Sequence, residues 1–375
     1  MRKTKNLIYF AIISLGLFGG VGFASAAVQI TNTGGAFVHN GIVTIAGSGF
    51  GTKATAAPLK WENFENGTNG NDVESTGYWT NRDDQADAKF TNKNQRNSRS
   101  SLSVVDRMVY PGTGFGPGNN GFYKLNAWTT TGIKYISGYL YVSMVSLQSL
   151  VDWQIKLIHI GSGPAHADEP VLALQSWWEA DGTIGSSGNY YEFRTGSTGG
   201  EWIPSTWDDW IRPAQWVRFE IEFRDSTDAN SSDGVANWVA YHSDGTVVRR
   251  SKTGVTISQT GTYLSTPHFG YGLVNVPTGQ AVSTYWDDLY IDNSWARVEV
   301  CAGATSTIRN KCEIQIPSAW SNTSIIITLN QGSFSDFIST YLYVIDENGN
   351  VNANGYLLTT SDTTPPSAPT GLVVL

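Results

Sequence analysis

Alternation between apolar and polar residues is the dominant pattern along this chain. The clearest example is WVRFEIEFRD, in which Val217, Phe219, Ile221 and Phe223 alternate with Arg218, Glu220, Glu222 and Arg224. A period of two residues predicts a β-strand with one face in a core and the other in solvent. Segments such as CEIQIPSAW and SIIITLNQG alternate in the same way, and helical periodicity is nearly absent. The pattern therefore predicts an all-β fold.

Changes in strand and turn composition divide the chain into regions. Residues 59–295 contain aromatic strands separated by loops of Gly, Asn, Asp and Ser at roughly regular spacing, which is typical of a β-sandwich. The flanking residues 27–58 and 296–360 have plainer strands, and residues 361–375 form a Pro-rich segment that we interpret as a tail or linker. We expect a large sandwich and a smaller one.

The N-terminal segment has the features of an export signal. Arg2, Lys3 and Lys5 precede an apolar run, and Ala24-Ser25-Ala26 follows it with the small residues that a signal peptidase requires. This pattern predicts a signal peptide over residues 1–26 and a secreted or cell-surface protein. The alternative is a retained membrane anchor, for which the apolar run is close to the lower length limit. After signal cleavage, no further membrane span is expected.

Composition and charge narrow the class of partner. The chain has 14 Trp, 17 Tyr and 40 Gly among 375 residues, and its net charge is −8. Nucleic-acid binding requires clustered Lys and Arg, which are lacking here, so this function is excluded. Many aromatic residues and few charges instead favour a carbohydrate-like partner.

The two cysteines predict a disulfide. Cys301 and Cys312 enclose a short loop, and in an oxidising compartment such a pair commonly forms a disulfide. Closing a loop of this size stabilises a fold by roughly 2–3 kcal/mol in the chain-entropy model. The lack of a nearby His argues against a zinc site.

Two separated segments resemble parts of one IPT/TIG immunoglobulin-like domain. GIVTIAGSGFG ends in Gly49-Phe50-Gly51, as the opening strand of that family does. Trp320-Ser321 and the V-x-D-x-x-G hairpin resemble its later part; the hairpin residues are Val344, Asp346 and Gly349. The resemblance implies that residues 59–295 are inserted into a loop of an Ig-like domain made of residues 27–58 and 296–360. The alternative is three independent pieces in a row.

The central region resembles a concanavalin A-like jelly roll of the kind found in laminin-G modules, polysaccharide lyases and glycoside hydrolases. KWENFENG resembles an opening strand, QWVRFEIEFRD a Trp-led strand, and TYWDDLYIDN a closing strand. The resemblance implies a fold and leaves activity open, because this fold carries lectins, lyases and hydrolases alike.

Few residues support the prediction of an enzymatic function. Alginate-lyase-like jelly rolls carry a Gln-x-His element, a Tyr and an Arg, and the resemblance implies Gln154, His159, Tyr191 and Arg194 as their counterparts. Gln154 and His159 are five residues apart, however, and so face opposite ways on a regular strand. A glycosidase would need paired acids. Glu220 and Glu222 share a face with two arginines, which is more typical of a solvated strand.

Clustered tryptophans favour a binding site instead. Sugar faces stack on aromatic rings while their hydroxyls bond to polar side chains. Residues with this chemistry lie in the three segments QSWWEADG, NYYEFRTG and GGEWIPSTWDDWIRP, and the predicted ligand-binding set is Trp177, Trp178, Tyr190, Arg194, Trp202, Trp207, Asp209, Trp210 and Arg212.

Calcium is the one cofactor for which the sequence offers ligands. Asp225, Asp228, Asn230 and Asp233 form an oxygen-rich loop of the kind that hard cations prefer, although the spacing is not that of an EF-hand. A solvated hairpin loop is the alternative. A second set lies on the predicted closing strand and comprises Asp287, Asp288 and Asp292. No other cofactor is expected.

The sequence thus favours an exported protein that binds glycans or serves in adhesion or surface assembly without catalysis. The alternatives are a polysaccharide lyase acting on a uronate polymer, a glycoside hydrolase, and a structural subunit of a surface layer or filament. The expected partners are glycans or other surface proteins, with self-assembly as a further expectation.

Overall fold

The computed structural model describes residues 27–81, 88–109, 121–143, 154–161, 171–178, 184–194, 200–205, 212, 214–228, 230–257, 264–274 and 281–358. Within these ranges the only helical element is a short 3-10 turn, Val73–Thr76, and no helix is long and apolar enough to cross a membrane. The all-β prediction is confirmed. The predicted signal peptide and the Pro-rich segment lie outside the described residues.

The smaller sandwich is built from one seven-stranded sheet, here called sheet I, with strand order β1-β2-β20-β19-β18-β21-β22. Its strands come from the first and last described parts of the chain: β1 Gln29–Gly35, β2 Ile42–Ser48, β18 Arg297–Cys301, β19 Glu313–Trp320, β20 Ser324–Thr328, β21 Tyr341–Ile345 and β22 Tyr356–Leu357. Strand β2 pairs with β20 antiparallel over five residues, so distant segments of the sequence share this sheet.

Sheet I folds over on itself to enclose a core. Val43 and Ile45 from one half lie in the same buried cluster as Val298 and Val344 from the other half. The Trp320 indole closes the end of this core by donating a hydrogen bond to the Phe50 carbonyl at 3.1 Å. The expected pairing of the two chain regions is therefore present. The domain boundaries and the IPT/TIG family remain predictions.

The larger sandwich has two sheets that face each other. Sheet II has the order β12-β11-β10-β9-β16-β7-β4. Its strands are β4 Thr80–Asn81, β7 Phe122–Tyr123, β9 Gln154–Gly161, β10 Val171–Trp178, β11 Ile184–Arg194, β12 Gly200–Ser205 and β16 Thr266–Val274.

Sheet III has the order β15-β14-β13-β8-β17-β6-β5, and β3 pairs with β17. Its strands are β3 Lys60–Glu62, β5 Lys89–Thr91, β6 Ser103–Val109, β8 Ile133–Ser143, β13 Trp216–Arg224, β14 Gly234–Tyr241, β15 Val247–Val255 and β17 Ala281–Asp292.

The core between sheets II and III is rich in aromatic rings. Trp286 of β17 is fully buried, and its ring lies 5.2 Å from Phe269, 6.1 Å from Phe219 and 6.4 Å from Phe122. The edge-to-face geometry of these contacts is the one that aromatic quadrupoles prefer. Phe122 and Phe269 lie in neighbouring strands of sheet II, so this cluster also fixes the strands whose other face carries the candidate site.

The charged face of β13 is buried, which corrects the expectation of a solvated strand. Val217 and Phe219 point into the core as predicted. Arg218 and Glu220, on the opposite face, are 1% and 0% exposed because sheet I packs over them. The alternation shows which residues share a face, but it does not show that a second sandwich covers the polar one.

A network of ion pairs joins sheet III to sheet I at this contact. Glu299 of β18 accepts from Arg297 Nε at 2.9 Å and from Arg218 at 3.1 Å, and Arg309 lies 3.4 Å away. Glu220 pairs with Arg218 at 2.5 Å and accepts from the Tyr135 hydroxyl at 3.0 Å. Every carboxylate here has a cationic partner, as burial of charge requires.

Two further contacts hold the sandwiches together. Arg96 pairs with Glu313 at 3.0 Å and with Asp288, and its guanidinium lies 3.8 Å from the Tyr139 ring centre. Lys53, in the first connection between the sandwiches, pairs with Asp292 at 2.6 Å. The contact between the two units therefore combines ion pairs with buried apolar side chains, since Val239 and Tyr241 of sheet III share one cluster with Tyr343 and Ile345 of sheet I.

The predicted disulfide is confirmed. Cys301, at the end of β18, is bonded to Cys312, and both residues are fully buried. The bond closes the loop that carries Arg309 toward the ion-pair network, so it also restricts one of the network's cations.

Candidate functional site

A bulge in β9 determines which residues share the outer face of sheet II. Ile158 pairs with Leu174 of β10, but Lys156 pairs with the very next residue, Gln175, so Leu157 is an extra residue. Ile155, Leu157, Ile158 and Ile160 all belong to the core. Lys156 and His159 therefore both lie on the outer face, because two consecutive residues of the bulge face inward.

This bulge overturns the expectation that Gln154 and His159 face opposite ways. Position 154 precedes the core residue Ile155 and therefore falls on the outer face together with position 159. Residues five apart face opposite ways only on a regular strand, and β9 is not regular. A bulge has no sequence signature in QIKLIHIG, so the sequence could not reveal it.

Three described side chains form a row across the centre of the outer face. His159 of β9 is directly opposite His268 of β16, which is directly opposite Tyr123 of β7. The Tyr123 and His268 rings are stacked, with centroids 4.8 Å apart and planes inclined by 11°. Directly paired residues share a face, and His159 and His268 are both buried. Tyr123 and His268 were not among the predicted site residues, although the alternation in PHFGYG indicates a strand that carries His268.

The backbone register continues the row toward the other edge of sheet II. Ala173 is opposite His159, Glu192 is opposite Ala173, and Trp202 is opposite Glu192. The next row contains Lys156, Gln175 and Tyr190 at paired positions. The register therefore brings several separately predicted positions to one face: 154, 159, 177, 190, 194 and 202.

The register does not bring all predicted residues together. Tyr191 is paired with Leu174, which is paired with the core residue Ile158, so position 191 falls on the opposite face from His159. Trp178 pairs with Ile184 beyond an irregularity in the register. Trp207, Asp209 and Trp210 lie outside the described residues.

Arg212 lies beside sheet III and not on sheet II. Its guanidinium donates a hydrogen bond to Asp244 at 2.6 Å, in the turn between β14 and β15. This hydrogen bond holds the pKa of the Asp244 carboxyl well below its usual range. Among the described residues, Arg212 is therefore separate from the row of His159 and His268.

A buried carboxyl supports the strands that carry Tyr123 and His268. Asp106 of β6 is fully buried and accepts a hydrogen bond from the Gly121 amide at 3.2 Å, while its Oδ2 has no hydrogen-bond partner among the residues that the structure describes. Gly270 has a φ of +71°, and a Cβ there would lie 2.3 Å from Asp106 Oδ2. Gly121 lies two residues before Tyr123, and Gly270 lies two residues after His268. A side chain at position 270 would collide with the Asp106 carboxyl, so glycine is required there.

The predicted calcium loop does not gather its carboxylates. Asp225 is buried and forms an ion pair with Lys134. Asp228 accepts from the Asn230 amide at 2.8 Å, and Asp233 accepts from the Thr227 amide at 2.8 Å. In the described part of the chain, the one close group of three metal-type ligands is Glu299 with the two disulfide-bonded cysteines. Calcium binding remains a prediction.

The second set of aspartates is engaged by cations of the protein. Asp288 pairs with Arg96, and Asp292 pairs with Lys53 and accepts from the Tyr290 hydroxyl at 2.9 Å. Asp287 accepts from Ser100 Oγ at 2.7 Å. These carboxylates serve the contact between the sandwiches.

Comparison with known proteins gives neighbours at the level of fold. No protein-family model and no curated protein matches the chain. Among solved structures, similarity is found to the endo-β-1,4-glucuronan lyase of the fungus Trichoderma reesei, at 8% identity over 64% of this chain and 97% of that one, with a TM-score of 0.43. The PL-14 alginate lyase of Aplysia kurodai gives 11% identity over 55% and 87%, with a TM-score of 0.39. Peanut lectin gives 9% over 57% and 96%, with a TM-score of 0.31. These neighbours are polysaccharide lyases and a lectin, and the likeness does not distinguish binding from catalysis.

Proposed function

We propose that this chain binds a glycan across the outer face of sheet II. The observation that carries the proposal is the row formed by Tyr123, His268 and His159, with Lys156 on the same face one row away. Imidazole and ammonium groups hydrogen-bond to sugar hydroxyls and carboxylates, and aromatic rings stack on sugar faces. The backbone register adds Gln and Tyr positions to the same face.

The ligand that this face favours is an acidic glycan. Lys156 supplies positive charge on this face, while the protein as a whole has a net charge of −8. Because the net charge of the protein is negative, an anionic ligand would be attracted by the local cation on this face and not by the electrostatic field of the whole protein. Together with the predicted export signal, the confirmed disulfide supports an extracellular role in glycan binding or adhesion.

Lys156→Ala is the direct test of this binding face. Loss of a charge-assisted hydrogen bond of about 1.5–3 kcal/mol is expected to weaken binding at least tenfold. The measurement is calorimetric titration of the purified protein with glucuronate, alginate and neutral glucan oligosaccharides.

Lys252→Ala is the matched control for that titration, since Lys252 is a half-buried lysine on β15 of sheet III. The control should bind as the wild type does. Absence of binding to any oligosaccharide, or equal affinity of Lys156→Ala and wild type, contradicts the proposal.

The paired histidines favour β-elimination as a second candidate function. Elimination on a uronate requires a base for the proton beside the carboxylate and an acid for the leaving oxygen. A neutral imidazole of His159 or His268 would take the proton, the carbon–oxygen bond would break as a carbon–carbon double bond forms, and Tyr123 would protonate the leaving oxygen. Lys156 would neutralise the carboxylate, on which negative charge develops in the transition state, and would thereby make the neighbouring C–H more acidic.

His159→Asn and His268→Asn test the lyase function. Loss of a general base is expected to reduce the rate of unsaturated-end formation by roughly 10²–10⁴-fold, while the Asn amide keeps a hydrogen-bonding group for the sugar hydroxyls that the imidazole would bind. His39→Asn in the smaller sandwich is the control, since His39 lies away from sheet II and accepts a hydrogen bond from the Gln331 amide. A wild-type protein that binds uronate oligosaccharides and yields no unsaturated ends has no lyase function.

A further inference from the structure

Three half-buried aromatic rings form a stripe on the outer face of sheet III. Trp216 of β13 is directly opposite Tyr141 of β8, and Tyr141 is directly opposite Tyr285 of β17. Ring centroids are 5.7 Å apart for Trp216 and Tyr141 and 5.5 Å apart for Tyr141 and Tyr285. We call Trp216, Tyr141 and Tyr285 the aromatic stripe. Neighbouring positions such as Val217 and Trp286 point into the core, so the stripe faces away from it.

The stripe begins where the cover provided by sheet I ends. The next row along the same strands consists of Arg218, Tyr139 and Asp287, which are also directly paired. Arg218 and Asp287 are each 1% exposed, because they lie beneath the smaller sandwich. The stripe is therefore the first uncovered row of a face that is otherwise used for contact between the sandwiches.

A cleft of about 550 Å³ runs from the stripe toward the smaller sandwich. Trp216 lines one part of it, and Tyr241, Lys311 and Ser335 line others. Lys311 is exposed and forms no ion pair with any residue that the structure describes. Trp216 belongs to both the stripe and the cleft, so the two adjoin, and the cleft adds a cation at Lys311, a carboxylate at Asp336 and hydroxyl groups.

Polar groups border the stripe on its remaining sides. Ser143 and Ser283, one row further out, are half-buried and hydrogen-bond to each other through Ser143 Oγ at 3.1 Å. Asn94 lies beside the Tyr285 hydroxyl. Rings with hydroxyl and amide neighbours suit a ligand that has both an apolar face and polar edges, which describes a pyranose better than an aliphatic peptide side chain.

We propose that the aromatic stripe and the adjoining cleft form a second glycan-binding site, which takes an acidic polysaccharide with sugar faces on Trp216 and Tyr141 and an anionic group at Lys311. Sheets II and III are opposite walls of the larger sandwich, so this site faces away from the row of His159 and His268. The inference does not depend on the proposed function of sheet II. Two sites on opposite faces would allow one molecule to join two polysaccharide chains.

Trp216→Ala and Lys311→Glu in the purified protein test the second site. With glucuronate and alginate oligosaccharides as probes, Trp216→Ala is expected to lose at least tenfold in affinity at one of two sites resolved by calorimetric titration. Lys311→Glu is expected to weaken the same site for both acidic probes and to leave the affinity for a neutral glucan oligosaccharide unchanged. Lys311 is exposed, so this variant keeps the test decisive if Trp216→Ala fails to fold.

Controls separate this site from the one on sheet II. Tyr356→Ala changes a half-buried ring of the smaller sandwich and should leave both sites intact. Lys156→Ala should weaken only the site on sheet II. Unchanged binding by this variant would contradict the proposed function of sheet II and would leave the inference about the aromatic stripe intact. Unchanged binding by both stripe variants overturns the inference. So does concentration-dependent dimerisation that Trp216→Ala abolishes, because the stripe would then be a contact between copies of the protein.

Discussion

Glu299→Ala is expected to lower the free energy of unfolding by roughly 3–5 kcal/mol, because it leaves buried guanidinium groups without their shared carboxylate. Burial alone would raise the pKa of Glu299, but Arg297, Arg309 and Arg218 hold that pKa well below its usual range. Since the folded pKa lies below the unfolded one, the stabilisation is present above the unfolded pKa and is lost as the pH falls through the folded value. The measurement is urea unfolding at neutral pH and in acid.

Glu222→Ala is the matched control for the ion-pair network. Glu222 also pairs with Arg297, at 2.8 Å, but its side chain is 14% exposed at the edge of the contact. Its removal should cost no more than about 1 kcal/mol. An equal decrease in the free energy of unfolding for the two variants would show that the burial of a carboxylate in the network does not affect its contribution to stability. Removal of a buried carboxylate leaves its cationic partners unpaired, which is costly. A decrease in stability below about 1 kcal/mol for Glu299→Ala would therefore contradict the burial of the network.

Asp106→Asn is expected to stabilise the protein by about 1–3 kcal/mol near neutral pH, because burial disfavours the charged carboxylate that the unfolded chain carries, whereas asparagine is neutral in both states. Burial raises the pKa of Asp106 well above its usual range, and the hydrogen bond from the Gly121 amide lowers it only in part. A raised folded pKa means that the contribution to stability is complete below the unfolded pKa and declines as the pH rises through the folded value. Asparagine removes that decline.

The pH profile of unfolding distinguishes this explanation from simple tolerance of the substitution. The advantage of Asp106→Asn should shrink toward acidic pH, where the wild-type carboxyl is neutral in both states. Asp228→Asn is a control of opposite sign, because a hydrogen bond from the Asn230 amide lowers the pKa of this exposed carboxyl. A constant difference between wild type and Asp106→Asn from acid to neutral pH would contradict the titration of Asp106.

Local alternation predicted the strands and their core faces well. Val217, Phe219, Ile221 and Phe223 lie in the core as the pattern requires, since the period of a strand is set by its own pleat. The disulfide was also predictable, because Cys301 and Cys312 are the only two cysteines and lie close in sequence. These features depend on neighbouring residues alone.

Features that depend on distant segments were not predictable. Arg218 has the appearance of a solvated residue until Glu299, 81 positions away, is brought over it. His159 and His268 lie on opposite sides of a long stretch of sequence, and only strand pairing places them side by side. The bulge at Leu157 changes which residues share a face without altering composition. Such outcomes follow from tertiary pairing, which one sequence does not encode in any local window.

The ion pair between Lys53 and Asp292 has a mechanical consequence. These residues lie where the polypeptide enters and leaves the larger sandwich, and their side chains meet at 2.6 Å. Strands β1 and β22, at the two ends of the described chain, form opposite edges of sheet I. A force that pulls those edges apart is carried by sheet I and by the ion pair between Lys53 and Asp292. The larger sandwich lies outside that path, so its two proposed binding faces stay undistorted while the rest of the chain resists the pull.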